Sequence, residues 1–222
     1  MKYAQLIIFY LNLLGAMGFS LIAPLFPPLC KDKGISNQIC SFIISSICIS
    51  QIYGSVYSAY YIQKIGMRKL LLISLVGQTA CTFLYGFMEY IQNNWLFILS
   101  GFTYRLFHGF FSSCVCVIAF SITTTINEGK ELERAMGYME LSWGIGLAIG
   151  PAVIGIFYDI GGYCLPFILI GLVYISGIYL FYSIPERDLE ENKSRKDSTN
   201  SLESDKKKEN FSFFSSFLYT QN

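Results

Sequence analysis

Charged side chains are scarce in this sequence. Only 14% of its 222 residues are Asp, Glu, Lys or Arg, whereas 53% are hydrophobic. A soluble domain carries roughly 25% charged residues to cover its surface, so this composition excludes an ordinary soluble globular protein. The net charge of +1 gives no sign of a nucleic-acid partner, and none is expected.

Catalytic patterns are missing as well. The chain has a single histidine, and it contains no His-Glu-x-x-His zinc motif, no phosphate-binding glycine loop and no Gly-x-Ser-x-Gly elbow. Its seven cysteines show no metal-ligand or redox spacing. The sequence therefore predicts neither an enzyme nor a bound cofactor or metal.

Long apolar blocks are what the sequence does contain. Each has about 19 residues or more, the length that a helix needs to cross roughly 30 Å of hydrocarbon. Backbone polar groups must be paired in lipid, so these blocks are predicted to be helices that lie in a bilayer. We therefore expect an all-α membrane protein with six transmembrane helices, at 3–29, 39–62, 70–88, 95–122, 135–157 and 163–184.

Basic residues are unevenly distributed between the connections. With six spans both termini lie on one side, and that side carries six basic residues before the tail, whereas the other side carries only Lys31 and Lys33. The positive-inside rule then places both termini in the cytoplasm. The sequence does not choose between a vesicular, a vacuolar and the plasma membrane. The six residues are Lys2, Lys64, Arg68, Lys69, Lys130 and Arg134.

Three cysteines fall near the predicted non-cytoplasmic helix ends. Cys30, Cys40 and Cys164 are close enough to those ends for a disulfide, but buried free thiols are the simpler interpretation because free cysteine is often buried.

The character of the sequence changes after Pro185. Residues 1–185 are predicted to form the six-helix bundle. Residues 186–210 are densely charged with mixed sign, which is typical of a disordered cytoplasmic linker. Residues 211–222, FSFFSSFLYTQN, are too few to span a bilayer. They are expected to be either the approach to a further helix or a short interfacial anchor.

The fifth span is unusually rich in glycine. Residues 136–155 read MGYMELSWGIGLAIGPAVIG, in which Gly146 and Gly150 form a G-x-x-x-G pair. In lipid, small residues on one face let two helix backbones approach closely. Pro151 removes one backbone hydrogen bond and is expected to bend the helix. The pattern fits both a face that can move against its neighbour and an ordinary packing interface.

The spacing of these residues resembles motif C of the major facilitator superfamily, which lies on the fifth helix of its proton-coupled antiporters. Gly137, Gly146, Gly150 with Pro151, and Gly155 fit the motif. The residue before Gly155 is an isoleucine, where the motif has a further glycine.

Two further stretches resemble motifs of the same family. YRLFHGFFSS on the fourth helix is similar to motif B: Arg105 fits, and His108 stands where the motif has glutamine. IQKIGMRK between the second and third helices is similar to the basic end of motif A. Gly66, Arg68 and Lys69 fit this motif, but a glutamine replaces its aspartate.

SLIAPLFPPLCKDKGIS (20–36) and GIFYDIGGYCLPF (155–167) are similar to the vesicular amine and polyamine transporter branch of this family. The resemblance implies an antiporter that exchanges protons for small organic cations, and it identifies this chain with the first of two six-helix halves. The expected partners are the lipid bilayer, the organic cation and the proton. A missing C-terminal half, or self-association, would complete the cavity. The alternative is a six-helix protein that transports nothing and binds or regulates full-length relatives.

Four polar residues within the spans are the candidate site. The resemblance implies that Arg105 takes part in proton coupling, although a structural cation is the alternative. Glu140, expected about one turn inside the fifth helix, is predicted to exchange a proton for a cation, or else to pair with Arg134 near water. His108 is either a proton relay or a hydrogen-bonding substitute for glutamine. Asn12 either lines the cavity or bonds a neighbouring helix.

Overall fold

The computed structural model describes residues 2–183, which form six long α-helices. All six are long and apolar enough to cross a membrane, as the sequence predicts. The predicted linker (186–210) and stub (211–222) lie outside the described residues. The helices are α1 (Lys2–Asp32), α2 (Asn37–Ile65), α3 (Met67–Gly86), α4 (Asn94–Ile126), α5 (Gly129–Gly161) and α6 (Cys164–Tyr182), with a short 3₁₀ turn at Phe87–Tyr90.

The helix ends follow from local turn and capping chemistry. Ser36 caps α2 by accepting a hydrogen bond from the amide of Ile39 at 3.4 Å. The side chain of Asn93 caps α4 in the same way, with the amide of Trp95 at 2.9 Å. Such caps satisfy amide groups that the first turn of a helix leaves unpaired. Gly66 joins α2 to α3 with φ at +89°, a conformation that favours glycine.

Helices α4 and α5 extend beyond the apolar blocks that predicted them. The block for the fifth helix begins at residue 135, but α5 begins at Gly129 and includes the polar run KELER. Most of these residues are good helix formers, and the chain has no need to stay apolar where a helix projects from the membrane. The helix therefore begins before the predicted apolar block, and Glu140 lies further from the helix start than that block implied.

The arrangement of neighbours repeats between the first three helices and the last three. When α1, α2 and α3 are matched to α4, α5 and α6, each contact has a counterpart. The contact of α2 with α4 corresponds to that of α5 with α1, and the contact of α3 with α4 corresponds to that of α6 with α1. Helices α3 and α6, and α1 and α4, also contact each other. This exchange of neighbours indicates an internal three-helix repeat, an arrangement that recurs in membrane transporters. The outermost helices are α2 and α5. Only 33% and 22% of their apolar 18-residue stretches is buried inside the bundle, against 61% for α1.

An aromatic cluster holds the ends of α1, α3, α4 and α6 together. Phe26 stacks on Phe97 with ring centroids 5.7 Å apart, and it also contacts Tyr85 at 5.4 Å. Phe167 of α6 also contacts Tyr85, with ring centroids 5.7 Å apart. These four rings are almost completely buried, so they fix the helices that surround the buried polar residues described next.

Candidate functional site

Arg105 lies in the interior of the bundle. It is the twelfth residue of α4, which places it roughly 16 Å from the start of that helix. Only 2% of its surface is exposed, and neither its Nε nor its Nη1 atom has a hydrogen-bond partner among the described residues. The hydroxyl groups of Tyr85 and Tyr163 lie within electrostatic range of the guanidinium. Charged groups at such depth are expensive, so Arg105 remains the leading functional candidate.

His108 and the two tyrosines complete a buried polar cluster around Arg105. His108 lies one turn further along α4, is 3% exposed and is within electrostatic range of the guanidinium. Its Nδ1 atom and the hydroxyl oxygens of Tyr85 and Tyr163 have no hydrogen-bond partner among residues 2–183. Burial raises the pKa of Tyr163 well above its ordinary value, so this hydroxyl keeps its proton.

The two tyrosines of this polar cluster carry no recognisable signal in the sequence. Tyr85 lies at the end of α3 and Tyr163 between α5 and α6, so only the packing of four helices brings them to Arg105. The cluster combines a permanent cation, two hydroxyl groups that can donate and an imidazole that can bind a proton. Such a set can stabilise an anionic group and respond to its protonation.

Glu140 is placed on an exposed face of α5, away from Arg105. Because α5 begins at Gly129, Glu140 lies about three turns inside the helix and not one turn, as the sequence predicted. Its carboxylate is within electrostatic range of Cys116 on α4. Cys116 lies eleven residues beyond Arg105, about 16 Å along the axis of α4. The structure therefore does not bring the two predicted charged residues together.

Asn12 is part of the contact between α1 and α5. Its Nδ2 atom donates hydrogen bonds to the carbonyl oxygen of Met139 at 2.7 Å and to the hydroxyl of Ser142 at 3.0 Å. The residue is 2% exposed, and its Oδ1 atom has no partner among the described residues. This geometry corresponds to the alternative in which Asn12 bonds a neighbouring helix, and a role in coupling stays a prediction.

The glycines of α5 divide into two groups. Gly146 and Gly150 are buried against α1, where a Cβ atom at Gly146 would meet the carbonyl oxygen of Leu13 at 2.5 Å. Gly137 and Gly155 are exposed, and a Cβ atom at either position would have no described atom within 4 Å.

Pro151 does not interrupt α5, which continues to Gly161, and its side chain is exposed. The close approach to α1 thus depends on Gly146 and Gly150, the G-x-x-x-G pair, rather than on every glycine of the segment.

An equivalent close approach joins α2 and α4. A Cβ atom at Gly54 would meet the carbonyl oxygen of Phe110 at 2.5 Å, and one at Gly109 would meet that of Ile47 at 2.9 Å. The hydroxyl of Ser113 donates to the carbonyl oxygen of Gln51 at 2.8 Å across the same contact. This interface was not predictable from the sequence, because its two glycines lie on different helices and form no spacing pattern.

The loop that resembles motif A is fixed to the end of α6. The Nη2 atom of Arg68 donates to the carbonyl oxygen of Tyr182 at 2.9 Å, and the guanidinium lies 5.7 Å from the centre of the Tyr182 ring. Lys69 is exposed. Within residues 2–183, no group of three or more His, Cys, Asp or Glu side chains is arranged to hold a metal ion.

Comparisons with known proteins agree with the helical arrangement. The sequence profile described as Major Facilitator Superfamily matches residues 8–221. The MFS-type transporter SLC18B1 of Homo sapiens is 26% identical over 78% of this chain and 38% of its own length. The Multidrug resistance protein 2 of Bacillus subtilis is 23% identical over 65% of the chain and 34% of its own length.

A third relative is the class B Tetracycline resistance protein of Escherichia coli, which is 26% identical over 74% of the chain and 40% of its own length. The chain thus spans less than half the length of these relatives.

Proposed function

The chain belongs to the major facilitator superfamily, and on that premise we propose that it supplies one six-helix half of a proton-coupled antiporter for small organic cations. The cations are amines or polyamines. The similarity to SLC18B1 supports this substrate class, since the segments 20–36 and 155–167 resemble the vesicular amine and polyamine transporter branch.

Membership of this family makes the chain an integral, multi-pass membrane protein of a transporter family. In the proposal both termini face the cytoplasm. The second half of the cavity comes from another six-helix unit. The surfaces available to it are those of α2 and α5, the two least buried helices. Transport then occurs as the two halves rock around a site near the middle of the bilayer.

The observation that carries the proposal is the buried guanidinium of Arg105. Its Nε and Nη1 atoms are unpartnered among the described residues, although the side chain is almost completely buried. A cation in such a place favours the ionised form of any carboxylate that approaches it. Binding of a proton to that carboxylate removes the attraction. Arg105 can therefore link the charge state of the cavity to the conformation of the two halves.

Glu140 has a different part in the proposal. It lies on an exposed face of α5, within electrostatic range of Cys116, which is about 16 Å from Arg105 along the axis of α4. A carboxylate there can hold either a proton or an organic cation. His108, one turn from Arg105, relays protons or positions the guanidinium.

Replacement of Arg105 tests the proposed coupling. In membranes that also hold the second half, Arg105→Lys and Arg105→Ala should each reduce pH-driven uptake of a polyamine at least tenfold, with unchanged amounts of protein in the membrane. Lysine keeps the charge but loses the planar set of donors. Leu99→Ala, at an exposed position of α4, is the matched control and should retain uptake. Uptake at the wild-type rate in Arg105→Ala would contradict the coupling role.

The second candidate function is regulation of full-length relatives without transport. Co-purification with a full-length transporter whose uptake changes, together with no uptake by the chain in the presence of a second half, would favour this function over antiport.

A further inference from the structure

Two cysteines meet where α1 turns into α2. Cys30 lies in the last turn of α1 and Cys40 in the first turn of α2, and their side chains are 1% and 4% exposed. Both belong to the same apolar core, both thiols are free in the structure, and each lies within interaction range of the other. The two sulfur atoms are therefore neighbours across a helical hairpin.

The turn between the two helices holds these cysteines in place. The amide of Ile35 donates to the carbonyl oxygen of Cys30 at 2.9 Å, and the amide of Cys40 donates to that of Ser36 at 3.1 Å. Gly34 has φ at +70°, which lets the chain reverse in few residues. The ammonium group of Lys33 donates to the carbonyl oxygen of Ile91 at 2.7 Å and fixes the turn to the α3–α4 connection.

We propose that Cys30 and Cys40 form a disulfide bond on the non-cytoplasmic side of the membrane. The proposal rests on the orientation in the proposed function, since that side of the membrane faces an oxidising compartment and the cytoplasm does not. It does not depend on transport activity.

The oxidant is a small disulfide such as oxidised glutathione. The thiolate of one cysteine attacks this disulfide, forms a mixed disulfide and releases one glutathione thiol. The thiolate of the other cysteine then displaces the second glutathione and forms the Sγ–Sγ bond. The two cysteines lose two electrons and two protons, and the oxidant is reduced to two thiols. Because both sulfur atoms are buried in the folded bundle, the exchange takes place while the hairpin folds.

The bond would stabilise the α1–α2 hairpin against unfolding. Its loop is short, so it fixes the end of α1 to the start of α2 next to the ring of Tyr85, which lies within electrostatic range of both cysteines. Reduction should therefore lower the temperature at which the helices unfold, and the Cys30→Ser, Cys40→Ser double variant should lose this sensitivity to reductant.

Peptide mapping tests the proposal directly, because Lys31 and Lys33 lie between the two cysteines. The full chain is expressed in a eukaryotic host, free thiols are blocked with N-ethylmaleimide at lysis, and the protein is digested with trypsin. We expect peptides 3–31 and 34–64 to remain joined until reductant is added. Alkylation of Cys30 and Cys40 in the untreated wild-type chain would overturn the proposal, and so would a bond to Cys164.

Two variants assign the bond within peptide 34–64, which also contains Cys48. Cys48→Ser changes an exposed cysteine on the same helix and should keep the link, whereas Cys40→Ser should abolish it. Persistence of the link in Cys40→Ser would overturn the assignment. Polyamine uptake, measured separately, reports on the proposed transport.

Discussion

The contact between α1 and α5 makes a quantitative prediction about two glycines of α5 that are two residues apart. Gly146 faces α1, where a Cβ atom would meet the carbonyl oxygen of Leu13 at 2.5 Å and the Cβ atom of Ala16 at 2.7 Å. Gly144 lies on the open face of α5, where a Cβ atom has no described atom within 4 Å. The same substitution, glycine to alanine, therefore separates packing from helix propensity.

Gly146→Ala should destabilise the bundle, whereas Gly144→Ala should leave it unchanged or slightly more stable. Non-bonded carbon and oxygen atoms pack at roughly 3.5 Å, so alanine at 146 forces α5 about 1 Å away from α1. Overpacking of this kind costs about 1–3 kcal/mol. Alanine adds helix propensity of about 0.5–1 kcal/mol at both sites, and this gain cancels in the comparison.

The assay is thermal unfolding of the two variants in the same detergent, followed by circular dichroism. A difference of about 1–3 kcal/mol corresponds to a Tm that is about 2–12 °C lower for Gly146→Ala than for Gly144→Ala, at 2–4 °C per kcal/mol for a chain of this size. Equal Tm values, or a lower Tm for Gly144→Ala, would refute the argument that Gly146 is required for the close approach of the two helices.

Two further predictions concern the same bundle. Asn12→Ala removes both side-chain hydrogen bonds between α1 and α5 and should lower stability by about 0.6 kcal/mol per bond; an unchanged Tm would show that these bonds contribute nothing. In a chain without native cysteines, Ser36→Cys should react with an impermeant maleimide only from the non-cytoplasmic side and Glu128→Cys only from the cytoplasm, and the reverse pattern would contradict the proposed orientation.

The number and positions of the helices were predictable because span length is a local property of the sequence. The start of α5 was not predictable, because hydropathy does not mark where a helix continues into water. Glu140 therefore lies about two turns further from the start of α5 than the apolar block implied. The spacing of Gly146 and Gly150 indicates a common face but not the helix that it contacts. Tyr85 and Tyr163 reach Arg105 through tertiary packing, for which one sequence holds no periodic signal.

The most direct measurement is polyamine uptake by the purified 222-residue chain in liposomes with an acidic interior. The proposal predicts no saturable, pH-gradient-dependent uptake by the chain alone, because six helices provide one wall of the cavity. It predicts such uptake when a separately expressed second six-helix half is reconstituted with the chain, and loss of that uptake with Arg105→Lys. Saturable, pH-gradient-dependent uptake by the chain alone would contradict the proposal that it is one half of an antiporter.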